Sequence, residues 1–126
     1  MYPIASYETY KDGQIIFEEG SHGDWLYVID SGAVELSKKV KGIDVVIEIL
    51  HPDDVFGELA FIARIPRTAA ARAVGETTVG IIDRAFLDNE YNKLSQYFQI
   101  IIKSLALRLK RTTDALTSIT IDKTRP

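Results

Sequence analysis

Between Ile15 and Asp83 the apolar residues fall into short runs, namely Ile15–Phe17, Trp25–Ile29, Ala33–Ser37, Val45–Leu50 and Thr77–Ile82. Turn-forming groups punctuate this region: Glu18-Glu19-Gly20, Gly23-Asp24, Ser31-Gly32, Lys41-Gly42 and Pro52-Asp53-Asp54. In Trp25, Tyr27, Ile29 and again in Val34, Leu36 the period is two, as in a strand with one face on a core. Short strands at close spacing with glycine turns predict an antiparallel barrel, closed or doubly layered, of jelly-roll type.

After Asp83 the period lengthens. Arg84–Tyr91 reads as a short helix with Asp83 as its N-cap, because no glycine or proline interrupts it. A long helix follows from about Lys93 to residue 121. Along it Phe98, Ile102, Leu105, Leu109, Thr112, Leu116 and Ile119 are spaced alternately four and three apart, a heptad seam. Lys103, Lys110 and Arg111 lie off that seam. Such a stripe packs on its own barrel or on a second copy. Its continuation to Ile119, past the reach of a small barrel, predicts a parallel homodimer. The expected fold is therefore mainly β with C-terminal α: a β-barrel over residues 1–92 and a dimerisation helix over 93–121.

Composition narrows the chemistry. At 126 residues the chain is the size of one domain, and its 46% hydrophobic and 26% charged content is that of a globular one. With no cysteine there is no disulfide, thiolate metal site or cysteine nucleophile. No apolar run is long enough to span a bilayer and no leader precedes the barrel, so the expectation is a cytoplasmic domain without a membrane partner. The net charge of −3 hides an asymmetry. Residues 1–90 hold 8 Lys/Arg against 16 Asp/Glu, and residues 91–126 hold 7 against 2. The barrel thus has no general basic field for nucleic acid, and any anion it captures needs a focused site.

One segment offers such a site: Phe56-Gly57-Glu58-Leu59-Ala60-Phe61, then Pro66-Arg67-Thr68-Ala69-Ala70. Gly57 permits a tight turn and close backbone approach. A helical turn from Glu58 leaves free N–H groups of the kind that attract phosphate. Arg67 can fork onto two phosphate oxygens, which a lysine cannot do. A carboxylate beside a phosphate site is electrostatically odd unless Glu58 accepts a hydrogen bond from a sugar hydroxyl. Acid, arginine and amides together have the shape of a nucleotide site.

These residues resemble the phosphate-binding cassette, residues 56–70 here, of the cyclic nucleotide-binding domain family. The resemblance extends to Ile16-Phe17-x-Glu19-Gly20 and to Gly23-Asp24-x-Leu26-Tyr27-x-Ile29-x-Ser31-Gly32-x-Val34-Glu35, and covers roughly residues 10 to 90. It implies that Glu58 accepts the ribose 2′-hydroxyl and that Arg67 neutralises the cyclic phosphate. Gly57, the amides near Leu59 and Ala60, and Thr68 would complete the anion cradle. Threonine at 68 is associated with tolerance of cGMP, and Ala70 replaces a threonine common in the family. By the same resemblance, Thr112 and Thr113 on the long helix would contact the base, one from each subunit.

The implied function is a cyclic nucleotide sensor, with cAMP as the expected ligand and cGMP as the alternative, from a bacterial catabolite-activator-type transcriptional regulator or signalling protein. No cofactor is expected. The family's DNA-binding module has no counterpart before Pro126, so no DNA binding by this chain alone is expected, and the chain reads as a fragment or a minimal sensor. Enzymatic readings find little support. His22 and His51 lack the companions of a metal site, and no Ser-His-Asp set or carboxylate pair stands out. The competing reading is a structural dimerisation domain with an empty or non-nucleotide pocket.

Overall fold

A computed structural model describes the backbone of residues 2–124 and the side chains as far as Ile119. The chain runs through β1 (Ile4–Tyr10), β2 (Ile15–Phe17), β3 (Tyr27–Val40), β4 (Ile43–Leu50), β5 (Val55–Phe56), α1 (Glu58–Ala63), β6 (Ala70–Ile82), α2 (Arg84–Asn92) and α3 (Gln96–Thr124). Arg125 and Pro126 lie outside the described residues. The strands form one antiparallel sheet in the order β1-β6-β3-β4, with β2 added to β6 and β5 added to β3. Among the described residues its hydrogen bonding does not close into a complete barrel.

Two long strands make the roll. β3 and β6 pair along most of their length, but the register shifts on either side of Ser31. Before this bulge β3 takes β5 as its other neighbour, and after it β4. Likewise the N-terminal part of β6 pairs with β2 and its C-terminal part with β1. A bulge bends and twists a strand, so each long strand serves two layers. Ser31-Gly32, expected as a turn between two strands, is this bulge. Gly32 has φ +86°, and a Cβ there would lie 2.4 Å from Thr77 Oγ1 and 2.5 Å from the Glu76 carbonyl. The fully buried Thr77 hydroxyl donates to the Ala33 carbonyl at 3.0 Å and so ties the bulge across the sheet.

The core follows the alternation. Tyr27, Ile29, Val34, Leu50, Phe56, Ala71 and Val79 form one buried cluster, flanked by Phe17 and Leu36. Tyr27 stacks on Phe56 with ring centres 5.0 Å apart. Leu26, Phe61 and Ile82 form a second cluster on the opposite face, under α1 and α2. Trp25, in phase with Tyr27, is instead half out of the core at 40% exposure.

The helices follow the expected signals. The Asp83 carboxylate accepts from the Phe86 N–H at 2.9 Å and caps α2. α3, however, does not dock by its heptad seam. It lies on α1 and on the ends of β3 and β4 through Ala106 and Thr117, both buried, with Ile102, Lys110 and Thr113 half-buried beside them. Of the seam, only Ile102 is half-buried. Phe98, Leu105, Leu109, Leu116 and Ile119 are 50–60% exposed.

Candidate functional site

The loop from α1 to β6 is anchored before it can carry chemistry. The Arg67 N–H donates to the Ser21 carbonyl at 2.9 Å, and Gly20 N–H donates to the Arg67 carbonyl at 2.7 Å. This pairing with the Gly20-Ser21 turn fixes the direction in which Arg67 projects. Its side chain turns inward and the residue is 3% exposed. The guanidinium donates to the Gly57 carbonyl at 3.0 Å and to the Trp25 carbonyl at 2.9 Å. Phe17, Trp25 and Tyr27 surround it, with ring centres 4.4, 5.4 and 5.7 Å from Cζ. Burial lowers the pKa of Arg67, against the opposing pull of Tyr27, Asp24 and Glu58. An arginine remains charged in any protein, so this is a desolvated cation whose hydrogen bonds among the described residues use two of its five N–H donors.

Gly57 serves this arrangement twice. It opens α1 with φ +88°, in the left-handed region that favours glycine. A Cβ at this position would also lie 2.5 Å from an Arg67 guanidinium nitrogen.

Around the guanidinium lies a cavity of about 260 Å³. Its walls include Gly57, Glu58, Leu59, Ala60, Arg67 and Thr68 from the cassette, and Thr113 from α3. The fold thus brings together seven of the eight residues singled out from the sequence. Thr112 does not line it: its side chain is exposed on the outward face of α3. Glu58 keeps solvent-exposed surface, yet the wall crowds its carboxyl and this desolvation raises its pKa. Glu48 adds to the rise, while backbone hydrogen bonding and Arg67 oppose it.

Sequence reasoning missed Phe17, Leu36, Lys38, Ile47, Glu48, Leu109 and Lys110, all of which line the cavity. For Lys38 a signal existed, since it continues the inward phase of Val34 and Leu36. The others come from separate strands and a helix that only packing brings together. Among the described residues no group of three or more His, Asp or Glu is placed to hold a metal ion, and His22 and His51 are exposed. No described helix is long and apolar enough to cross a membrane.

A model of the cyclic nucleotide-binding domain matches residues 7–93. The chain belongs to this family. The CRP-like cAMP-activated global transcriptional regulator of Mycobacterium tuberculosis is 32% identical over 108 residues, covering 85% of this chain and 48% of the regulator. The cAMP-dependent protein kinase regulatory subunit of Dictyostelium discoideum is 34% identical over 80 residues, covering 60% of this chain and 24% of that protein. The solved structure of an EAL enzyme in its cAMP-bound form superposes with a TM-score of 0.80 at 27% identity, over 94% of this chain and 32% of that one. The same enzyme has a cGMP-bound form, similar to this chain at a TM-score of 0.76. The chain spans about half or less of the length of these relatives.

Proposed function

We propose that this domain is a non-catalytic cytoplasmic sensor that takes a 3′,5′-cyclic nucleotide into the Arg67 cavity, with cAMP as the preferred ligand, and that dimerises through α3. One observation carries the reading. Among the described residues the buried guanidinium that lines the cavity hydrogen-bonds to carbonyl oxygens alone, while Glu58 lines the same cavity. A cyclic phosphate supplies the missing counter-charge, and the ribose 2′-hydroxyl donates to Glu58. Gly57 and the amides near Leu59 and Ala60 complete the cradle, together with the Thr68 hydroxyl.

The preference for adenine is read from Thr113. Its hydroxyl proton is engaged by the Leu109 carbonyl at 2.9 Å, so toward the cavity it offers an acceptor. The amino group of adenine donates to such an acceptor, whereas the corresponding oxygen of guanine cannot. The exposed apolar seam favours a second copy of the chain, and on that outward face Thr112 would reach the partner's nucleotide rather than its own.

Calorimetric titration with cAMP and cGMP tests the site. A charge-assisted hydrogen bond contributes about 1.5–3 kcal/mol, so losing two at Arg67 weakens binding by roughly several hundred-fold or more. Arg67→Leu is expected to abolish measurable binding. Arg67→Lys, which keeps the charge without the fork, should weaken it while preserving the fold. A wild type whose melting temperature is unmoved by saturating cAMP, cGMP or cyclic di-GMP would leave the structural dimerisation reading in its place.

A further inference from the structure

The cavity wall holds a second buried cation, which the nucleotide reading leaves unused. Lys38 on β3 is 6% exposed, and its ammonium reaches two segments that share no strand pairing. It donates to the Thr68 carbonyl, at the end of the cassette, and it pairs with Asp114 on α3 at 2.6 Å. The other Asp114 oxygen accepts from Lys110, one turn earlier, at 2.8 Å. Burial alone would raise the Asp114 pKa, but hydrogen bonds and charge from Lys110 and Lys38 hold it below the usual carboxylate value. A buried ammonium without partners is strongly unfavourable, so this geometry is tightly determined.

Asp114 sits beside the residues through which α3 closes the cavity: Leu109, Lys110 and Thr113 all line it. The buried contacts of the rest of the helix are small side chains, Ala106 and Thr117, with Ile102 half-buried beside them, a modest area to fix its position. We propose that Lys38 is a positioning residue, which through Asp114 clamps the α3 wall over the nucleotide and ties that wall to the cassette at Thr68. The proposal rests on the nucleotide reading. It adds that affinity depends on an ion pair that need not touch the ligand. Affinity differences among variants of one site fall mostly in the dissociation rate, so loosening the clamp should speed release more than it slows entry.

The test is a double-mutant cycle with full-length chain and cAMP, reading affinity by calorimetry and dissociation by stopped flow. Lys38→Met and Asp114→Asn are each expected to raise the dissociation rate about tenfold, with little change in the association rate. The double variant should be no worse than the poorer single one, since both substitutions break one link. Asp114→Glu should restore slow release. A merely structural defect would lower the fraction of chain able to bind without changing the release rate. Should Lys38→Met fail to fold, Asp114→Asn and Asp114→Glu at the half-exposed helix position carry the same reading. Unchanged release in Asp114→Asn overturns the proposal, and so do losses that multiply in the double variant. A strong loss in Lys38→Met with Asp114→Asn silent does so too, by showing that the ammonium meets the ligand directly. A wild type that binds no cyclic nucleotide sinks the nucleotide reading itself, an outcome distinct from these.

Discussion

Arg67 and Glu58 illustrate how one cavity sets two ionised groups against their environment. Arg67 keeps its charge in a shell of three aromatic rings and two carbonyls. Glu58 is disfavoured as a carboxylate by desolvation and by Glu48. Because its folded-state pKa is raised, the folded chain holds this proton more tightly than the unfolded chain. The resulting loss of stability is absent below the unfolded pKa and fully present above the folded one. Glu58→Gln should therefore leave the ligand-free melting temperature at neutral pH unchanged or raised. It should weaken cAMP binding by about tenfold or more, one charged hydrogen bond contributing about 1.5–3 kcal/mol. Parallel melts and titrations check both halves. In the wild type, affinity should begin to fall on acidification at a higher pH than for an exposed glutamate, as Glu58 takes up its proton.

At the scale of elements, the bulge in β3 matters most. Gly32 and Gly42 both have positive φ, but a Cβ at Gly42 meets nothing within 4 Å, while at Gly32 it meets backbone and the Thr77 hydroxyl. Gly42→Ala is expected to lower stability only by the left-handed backbone term, roughly 1–2 kcal/mol. Gly32→Ala adds overpacking and should lose about 2–4 kcal/mol or more. Chemical denaturation of the two variants measures the difference, and equal losses would show that the bulge does not need glycine for space. The strands also show where local pattern loses information. β6 begins with Ala70, Ala71, Arg72 and Ala73, in which Ala71 and Ala73 are fully buried. Alanine is a weak strand signal, so only its C-terminal part, Thr77–Ile82, carries a strand pattern. β1 went unread because five of its seven residues face solvent and its partner is β6, some seventy residues away.

For the whole molecule, the position of α3 decides how the cavity is joined to the outer helix surface. The helix uses one face for the barrel and the cavity, which the seam residue Leu109 also lines, and leaves most of its apolar seam outward. Leu105 is 57% exposed in the single chain, so Leu105→Glu should cost the monomer little stability. In sedimentation the wild type is expected as a dimer and the variant as a monomer; a monomeric wild type would remove the dimer reading. Ligand binding that shifts the α3 wall would then alter the spacing of two such helices, which is how occupancy of the cavity can reach whatever the helices drive.

The residue order by itself determined the glycine that opens the cassette, the acid and arginine that follow it, the N-cap of α2 and the heptad on α3, because each is a local pattern of residue types. Only the tertiary structure decided that Ser31-Gly32 bends a strand instead of ending it, that Thr113 faces the cavity while Thr112 turns away, and that a lysine from β3 meets an aspartate on α3. These outcomes depend on which surfaces bury one another across the chain. Hydrophobic burial and the pairing of buried charge select among faces that the sequence pattern leaves equivalent.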